Sequence, residues 1–236
     1  VERDADAIEE MDRPDCDPRL LERTYTQFPL VNRFVSGWRG VYTSLIRPAL
    51  PRDRRATLLD IGCGGGDITI NLARWAAKDG FDIRVLGIDP DERAYRFATR
   101  AADKTGLGRD RLSFRPAFSS ELVAEGAKFD VVVSNHILHH LSPPQLAGLF
   151  SDTESLTGSL AIHSDIRRSR SALFWFGAAT LPLAQSSFIR RDGLTSIRRS
   201  YTADELARLV PAGWQVQQGG LYRNLALFQP EVPGNA

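Results

Sequence analysis

"TLLDIGCGGGDITINLARWA", residues 57–76, decides how the rest of the chain is read. Its front is an apolar run, its centre carries Asp60-x-Gly62-x-Gly64-x-Gly66, and its back spaces apolar residues as a helix does. That order predicts a buried strand, a tight turn and a helix beginning near Asp67. Without a Cβ at 62, 64 and 66 the backbone can turn sharply and let ligand atoms approach it. The helix start aims free N–H groups at the same turn, which suits a phosphate or a carboxylate. Glycines serving only the strand-to-helix turn are the plainer alternative.

Two acids narrow the ligand. A dinucleotide fingerprint, Gly-x-Gly-x-x-Gly, would need its last glycine where Asp67 stands. An acid there repels a pyrophosphate. With Asp60 ahead of the turn, it favours a ligand carrying positive charge, such as an amino acid's ammonium or a sulfonium. Asp89 closes a second apolar run, "IRVLGIDP" (83–90), and an acid so placed can accept from both hydroxyls of a ribose. Its plainer alternative is an N-cap for the helix that follows.

Beyond the turn, short apolar strands alternate with helical spacing. Strands are expected at 56–62, 83–90, 112–118, 129–135 and 159–165, with helices at 67–78, 91–106 and after Ser142. Two closing strands, "WQVQQGG" and "NLALFQP", can pair as a hairpin, and Thr202-x-x-Glu205 is a capping box. The pattern predicts an α/β fold: a Rossmann-like seven-stranded sheet, its last strand antiparallel, with helices on both faces. Residues 19–50 form an N-terminal helical cover, with Phe34, Trp38 and Tyr42 on one helix face. Residues 166–200 form a lid insertion within a single domain, 19–236. Residues 1–18, with eight acids against two arginines, read as an acidic mobile tail.

A net charge of +1 over 236 residues gives no reason to expect nucleic acid. Cys16 and Cys63 make neither a disulfide framework nor a zinc site, so a cytoplasmic setting is expected. The acidic N-terminus does not read as a signal peptide. The longest largely apolar stretch, 171–184, has 14 residues, short of a membrane span of ~20.

With these motifs in place, the chain resembles the class I S-adenosylmethionine-dependent methyltransferases from about 57 to 228. "LLDIGCGGGDI" is similar to that family's first motif, "VLGIDP" to its second, "FDVVVSNHILHHL" to its fourth strand and the helix after it, and "AGWQVQQGGLYRNLALF" to its closing hairpin. The resemblance implies S-adenosyl-L-methionine as cofactor. Asp60, Gly62, Cys63, Gly64 and Asp67 would surround its methionine part, Asp89 and Pro90 its ribose, and Asn135 and His136 would line the site. The family often carries an acid near the adenine; here Ala117 and Phe118 stand there, so backbone groups and apolar packing would hold the base. The stretch "FPLVNRFVSGWRGVY" is similar in layout to the N-terminal helices of ubiquinone/menaquinone-type C-methyltransferases, which implies that Tyr25, Asn32 and Arg33 fold over the cofactor.

All four histidines fall between 136 and 163, at the ends of strands four and five. Such strand ends face the ligand crevice, and imidazole can take a proton from a phenol near neutrality. His139, His140 and His163, oriented by Asp165, are the candidates for a general base, in a pattern that resembles natural-product O-methyltransferases. The plainer alternative is that one of the adjacent pair only packs, since neighbours on a helix point about 100° apart. No metal site is expected, because Asn135 and Asp165 are the only good oxygen ligands at these ends.

The lid's middle is apolar and aromatic, with Phe174, Trp175 and Phe176, and seven arginines flank it between 167 and 199. It is either a helix pair packed on the domain or a cover for a hydrophobic aromatic acceptor that can also touch an anionic membrane. Methyl transfer to a small phenolic or lipophilic acceptor, to oxygen ahead of carbon, is the expected function. A nicotinamide-dependent oxidoreductase and a non-catalytic cofactor-binding protein are the alternatives.

Overall fold

The computed structural model describes residues 2–231, the side chains of 33–35 excepted. The tail of the expected domain, 232–236, and the side chains of Arg33 and Phe34 lie outside the described residues.

Seven strands form one sheet: β1 (Ala56–Ile61), β2 (Ile83–Ile88), β3 (Leu112–Arg115), β4 (Phe129–Asn135), β5 (Thr157–Ile166), β6 (Trp214–Gln218) and β7 (Arg223–Phe228). Their order is β3-β2-β1-β4-β5-β7-β6, and β7 runs antiparallel to both its neighbours. The chain leaves β1 for β2 on one side and returns to β4 on the other. The strand ends therefore part between β1 and β4, where such sheets form their ligand crevice.

Central strands are apolar throughout because both faces are covered. One face packs Leu58, Val131, Val133 and Ile162 under α4 (Asp67–Lys78) and a helical segment at 38–49 that carries Trp38 and Tyr42. That segment comprises α2 (Trp38–Val41), a π-turn at Tyr42–Ile46 and α3 (Arg47–Ala49). The other face packs Leu59, Val132 and Ala161 under α7 (Pro143–Leu156) and α10 (Ala203–Ala207). The capping box is present: Thr202 N–H donates to Glu205 at 2.8 Å, and Glu205 N–H to the Thr202 hydroxyl at 3.3 Å.

Three expectations need correction. α1 (Pro18–Val35) ends before Gly37, which is left-handed at φ 68°, so Phe34 and Trp38 do not share one continuous helix. β3 stops at Arg115, and Ala117 and Phe118 lead into α6 (Ser119–Ala124), a helix the strand pattern hides. The acidic segment 2–17 is packed against the domain. Arg3 donates to the Arg199 carbonyl at 2.6 Å, a 3-10 turn forms at Glu10–Asp12, and Glu9 is 2% exposed.

The insertion expected as a lid, 166–200, folds as α8 (Arg170–Ala179) and α9 (Ile189–Arg199), joined through a 3-10 turn at Leu181–Leu183. Its arginines are not a solvated rim throughout. Arg168 is buried, donating to the Ser200 carbonyl and to Glu205, and Arg199 is buried beside the His140 carbonyl. No helix among the described residues is long and apolar enough to cross a membrane.

Candidate active site

The turn after β1 is left-handed at Gly62, Gly64 and Gly66, with φ of 67°, 52° and 78°. Close packing also excludes a Cβ at two of them: on Gly62 it would lie 2.7 Å from Ile137, and on Gly66 2.7 Å from Phe114. Gly64 differs. Nothing lies within 4 Å of where its Cβ would be, so open space adjoins the backbone there.

Asp60 is buried under this turn, and the Thr69 hydroxyl donates to its Oδ2 at 2.6 Å. Its Oδ1 is buried without a partner. Burial pushes this carboxyl up to about 7, the Thr69 bond opposing and the charges of Asp67 and Asp89 adding. A buried oxygen lacking a donor is costly unless a ligand supplies one, and an ammonium would. Cys63 is buried in the same turn, and burial pushes its thiol up, which makes it inert rather than reactive.

Asp89 accepts from the N–H of Gly64 and of Asp91, each at 2.9 Å. The N-cap of α5 (Glu92–Asp103) is Asp91, which accepts from Arg93 N–H at 2.8 Å. Asp89, followed by Pro90, is therefore not spent as the cap. Asp67 accepts from the Asn32 amide at 2.9 Å, so an acid occupies the position where a dinucleotide fingerprint needs its third glycine. α1 crosses the turn: Tyr25 packs on Phe97 with centroids 5.1 Å apart, and a Cβ on Gly65 would sit 3.1 Å from its ring. Ala117 is buried and Phe118 is exposed nearby in sequence, but the Phe118 N–H is already donated to Glu121 at 2.8 Å.

At the end of β4, Asn135 Oδ1 accepts from the Trp38 indole at 2.9 Å and from Arg223. His136 follows at φ 65°, a conformation a non-glycine side chain rarely adopts, with its N–H donated to the Ser164 carbonyl at 2.7 Å. That twist delivers a 3-10 turn at Leu138–His140, which brings the His139 and His140 rings to 4.2 Å rather than splaying them.

Asp165 receives this segment. It accepts from His139 N–H at 2.9 Å, from His139 Nδ1 at 2.8 Å and from Ile166 N–H at 2.7 Å. His136 Nδ1 lies 3.6 Å from Asp165, buried and unpaired, while 32% of the His136 side chain is exposed. Burial and the charge of His139 lower His136 below the ordinary imidazole range, leaving it neutral at pH 7.

On its other edge His139 meets a residue the sequence reading missed. Its Nε2 lies 3.3 Å from Glu9 Oε1, and the Ser196 hydroxyl donates to that same oxygen at 2.6 Å. His140 points Nε2 at Glu9 Oε1 from 3.6 Å and Nδ1 at Asp12 from 3.1 Å. Burial works to lower His139, but the charge and bond of Asp165, then those of Glu9, raise it to about 9. Burial likewise raises Glu9, but the bond from His139 and the histidine charges hold it at about 2. His139, sealed by these two acids, is fully buried.

His163 is placed elsewhere. It is buried on the apolar side of β5, bonded through Nδ1 to the Ser134 hydroxyl at 2.6 Å and stacked on Trp214 at 5.1 Å. Among the described residues it makes no bond to Asp165. Burial lowers it to about 3, so it is a neutral core histidine rather than a base.

Residues 58–157 match the family described as Methyltransferase domain. Among curated proteins, a ubiquinone biosynthesis O-methyltransferase of Methylobacterium sp. (strain 4-46) is 38% identical over 86 residues, 36% of this chain and 31% of that protein. One from Cereibacter sphaeroides (strain KD131 / KCTC 12085) is 36% identical over 113 residues, 48% of this chain and 42% of that protein. The chain thus spans well under half the length of these relatives. Among solved structures, the plantazolicin methyltransferase BpumL in complex with SAH aligns at TM-score 0.65 and 13% identity, covering 93% of this chain and 92% of that one. Residues 58–157 are thus similar to a methyltransferase domain, and the chain shares its fold with a methyltransferase of known structure.

Proposed function

We propose that the chain transfers a methyl group from S-adenosylmethionine to the hydroxyl of a small, phenolic, lipophilic acceptor. The carrying observation is that the turn and the histidine segment meet: Ile137, beside His136, is the side chain packed against Gly62. Cofactor and acceptor sites would then share one crevice.

The residues present fit the cofactor. The unpaired Asp60 oxygen suits its ammonium, the space at Gly64 its amino-acid part, and Asp89 its ribose. When bound, S-adenosylmethionine supplies a methyl made electrophilic by its sulfonium. The protein's part is to hold the acceptor in line, an effect worth up to ~7–11 kcal/mol. His136 is the ring that the geometry favours for meeting the acceptor hydroxyl, being partly exposed and 3.6 Å from Asp165, but burial lowers it to about 3, as it does His163. A neutral ring so lowered can accept a hydrogen bond from the acceptor hydroxyl and orient it, so its part is in positioning. His139 and His140 then hold the segment rather than accept the proton, since Glu9 covers the one and flanks the other.

The curated relatives named above support oxygen over carbon as the acceptor atom. The exposed Phe174, Trp175 and Leu181 would gather an apolar tail, from a membrane surface where the acceptor is lipid-borne. Two free cysteines fit a cytoplasmic setting.

Mass spectrometry of a phenol library incubated with protein and S-adenosylmethionine tests this reading. The expected product gains one CH2 unit, and His136→Ala lowers kcat with cofactor affinity kept. Calorimetry showing NAD(H) binding and no S-adenosylmethionine binding would overturn it.

A further inference from the structure

We infer that Glu9, His139 and His140 form a binding site for a first-row divalent cation, Zn(II) foremost, which fastens the N-terminal segment to the strand ends. Glu9 Oε1 stands 3.3 Å from His139 Nε2 and 3.6 Å from His140 Nε2. Bonds of 2.0–2.1 Å from a tetrahedral zinc set its ligand atoms about 3.3 Å apart. Charge-assisted hydrogen bonds are shorter, at about 2.7–2.9 Å. The 3.3 Å spacing at Glu9 is long for a charge-assisted hydrogen bond and matches that of ligands around an ion.

The second observation is behind the histidines. A metal-bound imidazole almost always gives its other nitrogen to a carboxylate or carbonyl, which fixes ring and tautomer. His139 Nδ1 is bonded to Asp165 at 2.8 Å, and His140 Nδ1 to Asp12 at 3.1 Å. Both rings are therefore anchored through Nδ1 with Nε2 turned toward the same carboxylate. The Ser196 hydroxyl orients Glu9 in the same way, at 2.6 Å. His136, His139 and Asp165 also group closely, but there the His139–Asp165 distance is that of a hydrogen bond, so the pair serves as anchor and not as ligands.

Two imidazoles and one carboxylate are a zinc donor set, with the fourth position left to solvent. Softness also favours zinc over magnesium, which prefers oxygen ligands and keeps its waters. Glu9 comes from the N-terminal segment and the histidines from the exit of β4, so the ion ties together elements 130 positions apart. None of this depends on methyl transfer.

The test uses the full chain, tag-free, stripped with chelator and reloaded with Zn(II) or Co(II). One zinc per chain should survive gel filtration, Co(II) should give the intense visible bands of a four-coordinate site, and zinc should raise Tm. Glu9→Gln keeps the shape and the Ser196 contact, and His140→Ala removes a ring that is 25% exposed; both should lose the cobalt bands, and zinc should no longer raise the Tm of either above that of its own metal-free form. Asp12→Asn should weaken binding about tenfold or more. Absence of bound zinc and cobalt bands in the wild type would overturn the site and leave His139 as an imidazolium between two acids. Equal zinc retention in Glu9→Gln and His140→Ala would overturn it too, by placing the ion elsewhere.

Discussion

The Gly64 N–H donates to Asp89 Oδ2 at 2.9 Å, which joins the acid after β2 to the glycine turn after β1. The two motifs are one unit in space. Asp89→Ala should weaken S-adenosylmethionine binding about tenfold or more, since bonds to a charged group contribute ~1.5–3 kcal/mol. Gly64→Val should abolish it by filling the open space at φ 52°. Calorimetry on folded variants checks both, and unchanged affinity in Asp89→Ala would remove the ribose assignment.

Asp60 should couple cofactor binding to pH. Its carboxyl is raised from 3.8 to about 7, so its stability contribution to the ligand-free protein falls as pH rises through that window. A cationic ligand prefers the carboxylate, so cofactor affinity should climb as pH passes through about 7 and level off above it. Asp60→Asn should flatten that slope. A wild-type affinity independent of pH would contradict the role given to its unpaired oxygen.

His163 should matter to stability and not to turnover. Its folded value, about 3 against 6.5 unfolded, means stability is kept above 6.5 and lost as pH falls toward 3. The loss approaches about 1.4 kcal/mol per pH unit. His163→Gln should shrink this acid sensitivity in thermal melts while kcat holds. A folded variant without turnover would restore His163 as a base.

Trp175 is 61% exposed and meets Phe174 edge-on, so it contributes little to the fold. Trp175→Ala should change stability by less than about 0.5 kcal/mol. Burying such a ring against an acceptor is worth ~1.5–3 kcal/mol, so the acceptor's KM should rise about tenfold with that of S-adenosylmethionine unchanged. Equal KM values for long-tailed acceptors would show that α8 does not meet them.

What was legible in the sequence was local. The strand, turn and helix at 57–76 announce themselves by apolar spacing and glycine, both of which act over a few residues. The capping box at Thr202 is of the same kind. Glu9 was illegible because its burial is decided by His139 and Ser196, 130 and 187 positions away, while its acidic neighbours read as a solvated tail. His163 misled because a strand end suggests a crevice, whereas Trp214 and Phe150 close over it from the hairpin and α7. The left-handed turn at His136 leaves no mark in composition, yet it sets the angle at which all three neighbouring histidines arrive.

The contact of Glu9 with Ser196 also fixes an order of events. A bond spanning 187 positions closes nearly the whole chain into a loop, and such closure is costly until the intervening sheet has shortened the path. During synthesis, the segment around Glu9 emerges before α9 and must wait for that helix to leave the ribosome before its carboxylate finds the serine. The segment around Glu9 is therefore among the last parts of the fold to settle.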